Sequence, residues 1–556
     1  MLIGWSVNWG DGSTVVAATG PMRGKHSATA AHTFVTSGTN VVTLTVTNIN
    51  GSVDTFARSY RVLDRVVTAT NRVLYVDSVN GNNSNNGTSS WSTAWATLTK
   101  AITNAVSTDT IAVKGNYPEW TDVLSGKTNI RFLSYGARTG GFRVRDSDIT
   151  IDGFYLTYTN VLDSAGAIYV TDNVRNLKVI NCYVNDYNTD LSTGFRESQF
   201  VLHVISSSST NRASSCLYSN NIVDSINNII FDLNGWSNRV CYNEIKNCNG
   251  QADFWRPHGN TMWAHDNYYH DNSLLLEKHT DTMQLFGYDQ GTNASPDTTK
   301  YVDAKDIYMY RNFFSNNVCQ IGQFETKTNP TNRMTNIWIV NNIYYNIAGQ
   351  GNDSVNGLKF ANNGFYKTCT TIGTLLVGAG TKGSAWGSWM TNCIMWLCGS
   401  DTNSNTQGWY EQREQFVSTN GNFSADYNAV FPAKRTPPPT NNFQRWGSWP
   451  NTAEANGKNG DAPQFLSETD GFYGISTNSP YAGSGYNMTA DWEANGIPVT
   501  DFWGRPRASV GSWDIGPVNS GLALDSGSGG GGGGSSSDII RYIFNGGIII
   551  NGGTSF

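Results

Sequence analysis

Short runs of alternating apolar and polar residues recur along almost the whole chain, separated by turns rich in Gly, Asn and Ser. A period of two is the pattern of a half-buried β-strand. From residue 72 onward, Asn residues stand directly before mostly apolar runs, and their closest spacings are 21 to 24 residues. These residues are Asn181, Asn221, Asn243, Asn267, Asn312, Asn342, Asn363 and Asn392. The pattern predicts a solenoid, whose coils bury their inner faces only against stacked neighbours.

A second strand-like run recurs between the Asn positions, as in FVLHVIS, IIFDLNG, ADFWRPHG, TMQLFGY and CQIGQFE. Asn at one corner of successive coils can stack amide on amide in a hydrogen-bonded ladder. An array of β-sandwiches is the alternative, but a sandwich has no reason to place Asn before each apolar run. We therefore predict an all-β chain with a parallel β-helix over residues 72–517.

The entry to this region, LYVDSVNGNNSNNGTSSWSTAWATLTKAI, runs a strand into a polar loop and then into a short helix pattern. Ala94, Leu98 and Ile102 fall on one face of that helix. The arrangement resembles the start of right-handed parallel β-helix proteins of the pectate-lyase-like class, in which a helix covers the open end. VTDFWGRPRASVGSWDIGPVN is similar to the C-terminal tail of many such proteins. The resemblance implies a capping helix near 94–106, and we interpret 380–460 as long external loops.

The first 65 residues form a separate pattern, with strand-like runs WSVNW, TVVAAT, NVVTLTVTN and DTFARSYRV between turn signals. WGDGS followed by AAHTFVTSGTNVVTLTVTNINGS resembles the PKD domain, an immunoglobulin-like module of surface and extracellular proteins. In that resemblance Asp11 and His32 have structural roles. The first two strands of the family are missing, so we expect an incomplete sandwich with an open sheet edge.

Residues 518–537 have the composition of a Gly/Ser linker, and residues 538–556 contain two apolar, β-prone runs. An open sheet edge tends to recruit another strand. We therefore predict that this tail adds a strand to the N-terminal sandwich of a neighbouring subunit, which would build a filament. The alternative is a tail that docks on a different surface protein. The predicted assembly residues are Ile539, Ile540, Tyr542, Phe544, Ile548, Ile549 and Ile550 in the tail, and Trp5, Val7 and Trp9 in the sandwich.

Composition narrows the possible partners and compartments. Of the 556 residues, 38% are hydrophobic, 14% charged and 12% aromatic, which suits a β-rich surface with flat contacts for sugars. A net charge of −6 with no basic run argues against a nucleic-acid partner. No apolar stretch has membrane-spanning length, and no Sec signal pattern is present. We expect an extracellular protein, on a virion or in a cell-surface filament.

The eight cysteines form no CxxC pair and no regular framework. Most lie in strand-like runs, so we expect buried free thiols. Disulfides Cys241–Cys248 and Cys393–Cys398 are the alternative.

The stretch LLLEKHTDTMQLFGYD is the most enzyme-like part of the chain. It contains Glu277, Lys278, His279, Asp281 and Gln284. We expect neighbouring coils to add Asp232, Trp255, His258, Gln323, Glu325 and Lys359 to the same wall. Two carboxylates could supply the acid and base of glycoside cleavage, whereas Lys with Arg could abstract the proton beside a uronic acid carboxylate.

We predict Asp281, His279 and Asp232 as catalytic residues, and Trp255, His258, Gln284 and Lys359 as carbohydrate-binding residues. The competing interpretation is that these side chains only cover the outside of the solenoid and make turn hydrogen bonds. DSVNGNNSNNG at 77–87 is similar to a calcium loop, but it has one carboxylate, which favours a plain turn. No His/Cys cluster has zinc spacing, so no metal or cofactor is predicted.

Two functions compete. The first is a structural or adhesive subunit of a fibre, spike or filament with a glycan-facing β-helix, and it is favoured by the incomplete first domain and the apolar tail. The alternative is a polysaccharide lyase or glycoside hydrolase of tailspike or secreted type. Fold alone does not decide between them, because one solenoid fold can carry both roles.

Overall fold

In the computed structural model, the described residues are 2–10, 12–13, 15–19, 38–48, 53–62, 72–123, 125–158, 166–186, 200–203, 212–226, 229–248, 253–272, 280–286, 304–317, 322–325, 334–347, 351–352, 357–367, 388–397, 423–431, 455–459, 461–466 and 474–520. Across these ranges no helix is both long and apolar enough to cross a membrane. The tail at 538–556 and its assembly residues lie outside them.

Four N-terminal strands form an antiparallel sheet, Leu2–Asn8, Val16–Thr19, Gly38–Asn48 and Val53–Val62, and they agree with the four predicted strand runs. The first strand pairs with the second on one side and the third on the other. Among the strands that the structure describes, the second and the fourth stand at the edges, so the first strand is interior and does not supply the open edge expected for the predicted assembly residues. Val7 and Trp9 are already buried, so they are not an exposed acceptor surface, and Trp5 lies in the same interior strand. The PKD-like identity stays a prediction.

Between residues 73 and 459, the described strands coil into stacked parallel sheets, here named A, B and C in the order in which each coil passes through them. Sheet A comprises Val73–Asp77, Thr110–Lys114, Arg131–Ser134, Thr150–Asp152, Lys178–Ile180, Leu217–Ser219, Arg239–Cys241, the end of Trp255–His265, Ala304–Tyr310, Met334–Val340, Leu358–Ala361, Ser388–Thr391 and Phe423–Asp426. Each strand pairs in parallel with the next, which confirms the all-β, parallel β-helix prediction.

Sheets B and C continue each coil. Sheet B comprises the starts of Asn116–Val123 and Arg138–Val144, then Tyr155–Tyr158, Tyr183–Asp186, Ile222–Asp224, Glu244–Lys246, Tyr268–His270, Phe313–Asn317, Ile343–Ile347, Gly364–Tyr366, Ile394–Trp396, Ala429–Phe431 and Lys458–Asn459. Sheet C comprises the ends of those two long strands, then Ile168–Val170, Val201–His203, Phe231–Trp236 and the start of Trp255–His265, with the short strand Ala213–Ser214 beside Phe231–Trp236. Gln284–Phe286, Gly322–Glu325 and Gly351–Asn352 form a three-stranded parallel sheet of their own and are counted with sheet C because they continue its stack beside Trp255–His265. The recurring runs between the Asn positions are the strands of sheet C.

Amide side chains form the predicted ladder at the corner between sheets A and B. From Asn221 to Asn363, each Nδ2 donates to the Oδ1 of the next Asn at 2.9 to 3.1 Å. The members are Asn221, Asn243, Asn267, Asn312, Asn342 and Asn363, all buried. Each Nδ2 also donates to a carbonyl of the preceding coil, as Asn267 does to Val240 at 3.1 Å. The ladder thereby satisfies polar groups that would otherwise be buried without partners.

Asn181 and Asn392 are not members of the ladder, which corrects their assignment. Both adopt a left-handed backbone, with φ of 56° and 54°, one residue before the ladder position. Cys182 and Cys393 occupy the ladder position instead. Asn tolerates the left-handed region better than most residues, so the corner selects Asn for two different reasons. The ladder position beyond Cys393 is occupied by Asn428.

The capping helix runs from Leu98 to Asn104, shorter than the predicted span, and Thr97 caps its first turn by accepting from the Lys100 amide. Leu98, Ala101 and Ile102 are its buried face. A 3-10 turn, Trp91–Thr93, precedes it. The helix therefore closes the end of the coil as expected.

Residues 474–520 contain no coil strand and pack against the outside of sheets A and B; they are called the covering segment below. Its one helix, Thr489–Ala494, sets Trp492 against Trp513 over sheet A. The predicted β-helix boundary at 517 is therefore too late, because the last described coil strand is Lys458–Asn459. The prediction that 380–460 forms external loops is partly wrong. This range supplies coil strands to sheets A and B, which are Ser388–Thr391, Ile394–Trp396, Phe423–Asp426 and Ala429–Phe431.

Five of the eight cysteines lie in the described part of the chain, and all five are buried free thiols: Cys182, Cys216, Cys241, Cys248 and Cys393. The alternative disulfide Cys241–Cys248 is therefore not formed. Cys398 lies outside the described residues.

Candidate functional site

The outer face of sheet C carries one continuous row of side chains in register from coil to coil. It runs through Asp122, Arg143, Tyr169, Leu202, Asp232 and Arg256. Within the described residues, the covering segment packs on sheets A and B and not on sheet C. We therefore place the candidate site for a long ligand on sheet C.

Alternation sets which side chains face outward at two successive coils. Phe231 and Leu233 belong to the buried core, which turns Asp232 and Asn234 to the other side of their strand. In the next coil, Asp232 pairs with Arg256 and Asn234 pairs with His258. With Arg212, which precedes the neighbouring short strand, these residues are called the polar cluster: Arg212, Asp232, Asn234, Arg256 and His258.

Two stacked glycines directly follow Asn234 and His258 of the polar cluster. Gly235 and Gly259 pair with each other and have φ of 154° and 145°. A Cβ on Gly259 would collide with the carbonyl oxygen of Gly235, and one on Gly235 would collide with that of Ala213. Glycine is therefore required at both positions, and the close approach fixes where Asn234 and His258 stand.

His258 is held as a neutral imidazole. Burial, together with the nearby Arg256 and Arg212 cations, lowers its pKa to about 3. Its Nε2 lies 3.5 Å from Oδ1 of Asp232. A proton on Nε2 therefore faces the carboxylate, which leaves the lone pair on Nδ1. That Nδ1 is buried and makes no hydrogen bond in the described structure.

Arg256 is oriented by a buried carboxylate. Its Nε and Nη2 donate to one oxygen of Asp253 at 3.1 and 2.8 Å. The other oxygen of Asp253 accepts the backbone N–H of Asp281 at 2.9 Å, which ties the neighbouring coil to the same group. Asp253 and Asp281 are fully buried, whereas Asp232, Arg256 and His258 keep 9%, 8% and 6% of their surface exposed. Arg212 also keeps 8% of its surface exposed, so the exposed edge of the site consists of one carboxylate, two guanidinium groups and one imidazole.

A buried pair inside the solenoid supports the strand that carries Asp232 and Asn234. His203 Nδ1 lies 3.3 Å from the carbonyl of Asn234, and its Nε2 is hydrogen-bonded to the Tyr218 hydroxyl. Burial lowers the pKa of His203 to about 4, so the ring is neutral at pH 7. It therefore donates to the carbonyl and accepts from the hydroxyl, which braces sheet C against sheet A.

The structure brings together only some of the predicted site residues. Asp232 and His258 are neighbours at the outer face, and Gln284 is buried in the next strand of sheet C. Gln323 and Glu325 lie in the following strand, paired with Gln284 and Phe286. His279, Glu277 and Lys278 lie outside the described residues.

Two predictions about sugar contact are wrong. Trp255 belongs to the core with its ring fully buried, so it cannot stack on a sugar at the surface. Lys359 is on sheet A, where its Nζ donates to Asn336 at 2.9 Å and lies 4.2 Å from the centre of the Trp338 ring. It therefore lies on a different wall from His258.

The sequence analysis did not identify Arg212, Asn234 or Asp253 as site residues. A sequence pattern that indicates the position of Asn234 is nevertheless present. FDLNG and WRPHG share an order of apolar, charged, apolar, polar and Gly, and their glycines are 24 residues apart. That is also the spacing of Asn243 and Asn267. Aligning the two glycines places Asn234 opposite His258.

Metal binding finds no support in the described part of the chain, where no group of three or more His, Cys, Asp or Glu side chains could hold an ion. In the calcium-like loop, Asp77 accepts the backbone N–H groups of Val79 and Asn80 at 2.9 and 3.1 Å. Its carboxylate therefore has the geometry of a plain turn.

No protein-family model matches the chain, and a search of curated proteins finds no match. Among solved structures, the chain is similar to pectate lyase Pel9A, with 12% identity over 81% of this chain and 96% of that one and a TM-score of 0.40. It is similar to pectate lyase Bsp165PelA from Bacillus sp. N165 in complex with trigalacturonate, with 13% identity over 65% and 82% and a TM-score of 0.27. It is also similar to the A-module of the Azotobacter vinelandii mannuronan C-5 epimerase AlgE6, with 9% identity over 58% and 78% and a TM-score of 0.33. The β-helix itself follows from the strand pairing.

Proposed function

We propose that this chain is an extracellular polysaccharide lyase that binds a uronic-acid polymer along the outer face of sheet C and cleaves it by β-elimination. The observation that carries the proposal is His258, a neutral imidazole with an unpartnered Nδ1 in the described structure, set beside Asp232 and near the cations of Arg256 and Arg212. A general base, its orienting carboxylate and cations for an acidic substrate are the groups that this reaction needs.

In the proposed step, binding of the polymer uncovers Nδ1 of His258, which is buried in the free chain, and Nδ1 then takes the proton from the sugar carbon next to the carboxylate. The electron pair forms a double bond to the adjacent ring carbon, and the glycosidic C–O bond at that carbon breaks. The imidazolium then returns the proton to the leaving oxygen. Asp232 keeps Nε2 protonated throughout and stabilises the imidazolium, as an orienting carboxylate does in a catalytic triad.

The guanidinium groups make the proton removable. A carbon acid next to an ionised carboxylate is very weak, and its anion places more charge on the carboxylate oxygens. Arg256 is held in one orientation by Asp253, so it can receive those oxygens without reorganising. Planar, paired N–H donors suit a carboxylate better than a single ammonium would.

Hydrolysis by a carboxylate pair is the competing chemistry at the same wall. It would assign the acid and base to Asp281 and Asp232, so Asp281→Asn would abolish cleavage while leaving binding intact. Asp281 is fully buried, whereas His258 and Asp232 reach the surface, and this favours the imidazole as the reacting group. The two chemistries also leave different products. β-Elimination leaves an unsaturated uronate at the cleaved bond, whereas hydrolysis leaves no double bond.

The test is His258→Asn, assayed by ultraviolet absorbance of unsaturated products from polygalacturonate and alginate. We expect a loss in kcat of about 100-fold or more, the usual contribution of a general base. The matched control is His265→Asn, which removes another buried histidine of the same strand, one that pairs with Asp266 on sheet A. Equal losses in the two variants would overturn the assignment, and Asp232→Asn provides a second test should His258→Asn fold poorly.

A structural or adhesive role in a fibre, spike or filament is the second candidate, and one observation favours it. Among the described strands of the N-terminal sheet, Val53–Val62 stands at an edge; it is ten residues long, and Val53 is exposed. A long edge strand of this kind invites pairing with another chain. The tail at 538–556 would be the added strand, donated by a neighbouring subunit or replaced by a different surface protein.

A further inference from the structure

We infer that Trp120, Arg143 and Tyr169 form a second carbohydrate subsite, which holds an acidic sugar of the same polymer at a distance from the polar cluster. These three residues are called the platform below. The inference rests on the proposed function for the path of the polymer, but the binding it claims does not depend on cleavage.

The platform is an arginine packed against two neighbouring aromatic rings on the outer face of sheet C. The guanidinium carbon of Arg143 lies 5.2 Å from the ring centre of Trp120 and 5.7 Å from that of Tyr169. The two rings are 6.3 Å apart and tilted by 48°. All three side chains are part-exposed, and Arg143 is also 3.5 Å from Asp122, which is itself exposed to solvent. Two part-exposed aromatic rings and a guanidinium therefore meet at one place on the outer face.

The platform and the polar cluster belong to one row. Arg143 pairs with Tyr169, Tyr169 with Leu202, Leu202 with Asp232 and Asp232 with Arg256. From Tyr169 to Arg256 there are three coil-to-coil steps, which span about 14 Å at the spacing of paired strands. A polysaccharide lying along the solenoid axis would therefore touch both places with different sugar units.

The chemistry of the platform suits a uronate. Aromatic rings bury the apolar C–H face of a pyranose and present little conformational entropy to lose. A guanidinium forms charge-assisted hydrogen bonds with a carboxylate. The structural alternative is that Arg143 and the rings stabilise only one another, since cation–π contacts occur on many protein surfaces. Sheet B provides such a case, because Arg138 lies 5.6 Å from the ring centre of Tyr155.

Arg138 and Tyr155 are a matched control for the platform. Arg138 and Arg143 lie on the same strand, Arg138–Val144, but Arg138 is in its sheet B part and Arg143 in its sheet C part. The experiment compares Tyr169→Ala and Arg143→Gln with Tyr155→Ala and Arg138→Gln, all in the non-cleaving His258→Asn background. Binding of long polygalacturonate and of its disaccharide is measured by calorimetry, with a neutral glucan as the uncharged probe.

We expect Tyr169→Ala to weaken binding of the long polymer by about tenfold, the upper range for one aromatic contact. Disaccharide binding should change little, because so short a ligand can be held at the polar cluster alone. The inference is overturned if Tyr155→Ala weakens polymer binding as much as Tyr169→Ala, or if the platform variants bind the polymer like the parent. Polymer binding that needs Tyr169 but is accompanied by no cleavage in the wild type would support the platform and refute the lyase. With the same substitutions made in the cleaving wild-type chain, cleavage that is indifferent to Tyr169→Ala and Arg143→Gln would refute the platform alone.

Discussion

Asn267→Leu is the sharpest perturbation of the solenoid, because it removes the middle of the amide ladder while keeping the side-chain volume. The Oδ1 of Asn267 accepts from both N and Nδ2 of Asn243, at 3.0 and 2.9 Å. Both donors are buried and would lose that acceptor. At about 1–3 kcal/mol for each unsatisfied donor, the expected cost is about 2–6 kcal/mol.

The first Asn of the ladder provides a graded comparison. The Oδ1 of Asn221 accepts from one donor only, the backbone N–H of Cys182. Asn221→Leu should therefore cost about half as much as Asn267→Leu, or about 1–3 kcal/mol. Asn104→Leu is the control, because Asn104 is exposed at the end of the capping helix.

The assay is urea unfolding followed by circular dichroism, with midpoints compared because a long solenoid need not unfold in one step. We expect the midpoint to fall in the order Asn104→Leu, Asn221→Leu, Asn267→Leu, with the first close to the parent. A cost for Asn267→Leu no larger than that for Asn221→Leu would refute the ladder as the source of stability.

Three further outcomes follow from the structure. His203 and His258 have folded-state pKa values of about 4 and 3 against about 6.5 in the unfolded chain, so the unfolded chain binds more protons below pH 6.5. The free energy of unfolding should therefore fall as the pH drops from 6.5 towards 4, by about 3 kcal/mol for His203 alone. Urea titrations at several pH values should show a flatter pH dependence for His203→Gln. Burial raises the pKa of the Cys216 and Cys248 thiols to about 12, so both should resist alkylation in the native protein and react in urea, as mass spectrometry of labelled peptides would report. Deleting 538–556 should leave the β-helix folded but abolish polymers if the tail adds a strand to a neighbour; unchanged polymers in light scattering would end that hypothesis.

The coil architecture could be predicted from the sequence because each coil repeats the same physical requirement. At the buried corner, a side-chain amide can hydrogen-bond with the backbone and amide groups of neighbouring coils. This requirement explains the Asn at positions 243 and 267. The same corner also needs a residue that tolerates a left-handed backbone, and this too selects Asn. Sequence alone could not separate the two roles, so Asn181 and Asn392 were assigned to the ladder that Cys182 and Cys393 occupy.

The site was harder to predict because outward and inward positions depend on where each strand begins. Phe254 and Trp255 are adjacent, yet both are fully buried. Strict alternation that begins with Phe254 as an inward residue predicts that Trp255 points outward. The strand instead begins at Trp255, and this residue pairs with the core residue Phe231, so its side chain points inward. Lys359 failed for another reason, since strands of all three sheets have similar patterns and spacing does not reveal which wall a residue faces.

The polar cluster depends on contacts between coils, which no short motif encodes. His258 follows Trp255 closely in the chain, but its partner Asp232 comes from the preceding coil. Only the register of the two strands makes them neighbours, and the glycine pair Gly235 and Gly259 is the one trace of that register in the sequence.

The mass of the products released by the wild-type protein from polygalacturonate or alginate tests the central claim most directly. A lyase that uses His258 as its base releases oligosaccharides with an unsaturated terminal uronate, each lighter by one water than the corresponding hydrolysis product. We predict these unsaturated masses from at least one of the two uronic-acid polymers and none from a neutral glucan. Saturated oligosaccharides would contradict the account in favour of the carboxylate pair, and intact polymer bound without cleavage would contradict it in favour of an adhesive subunit.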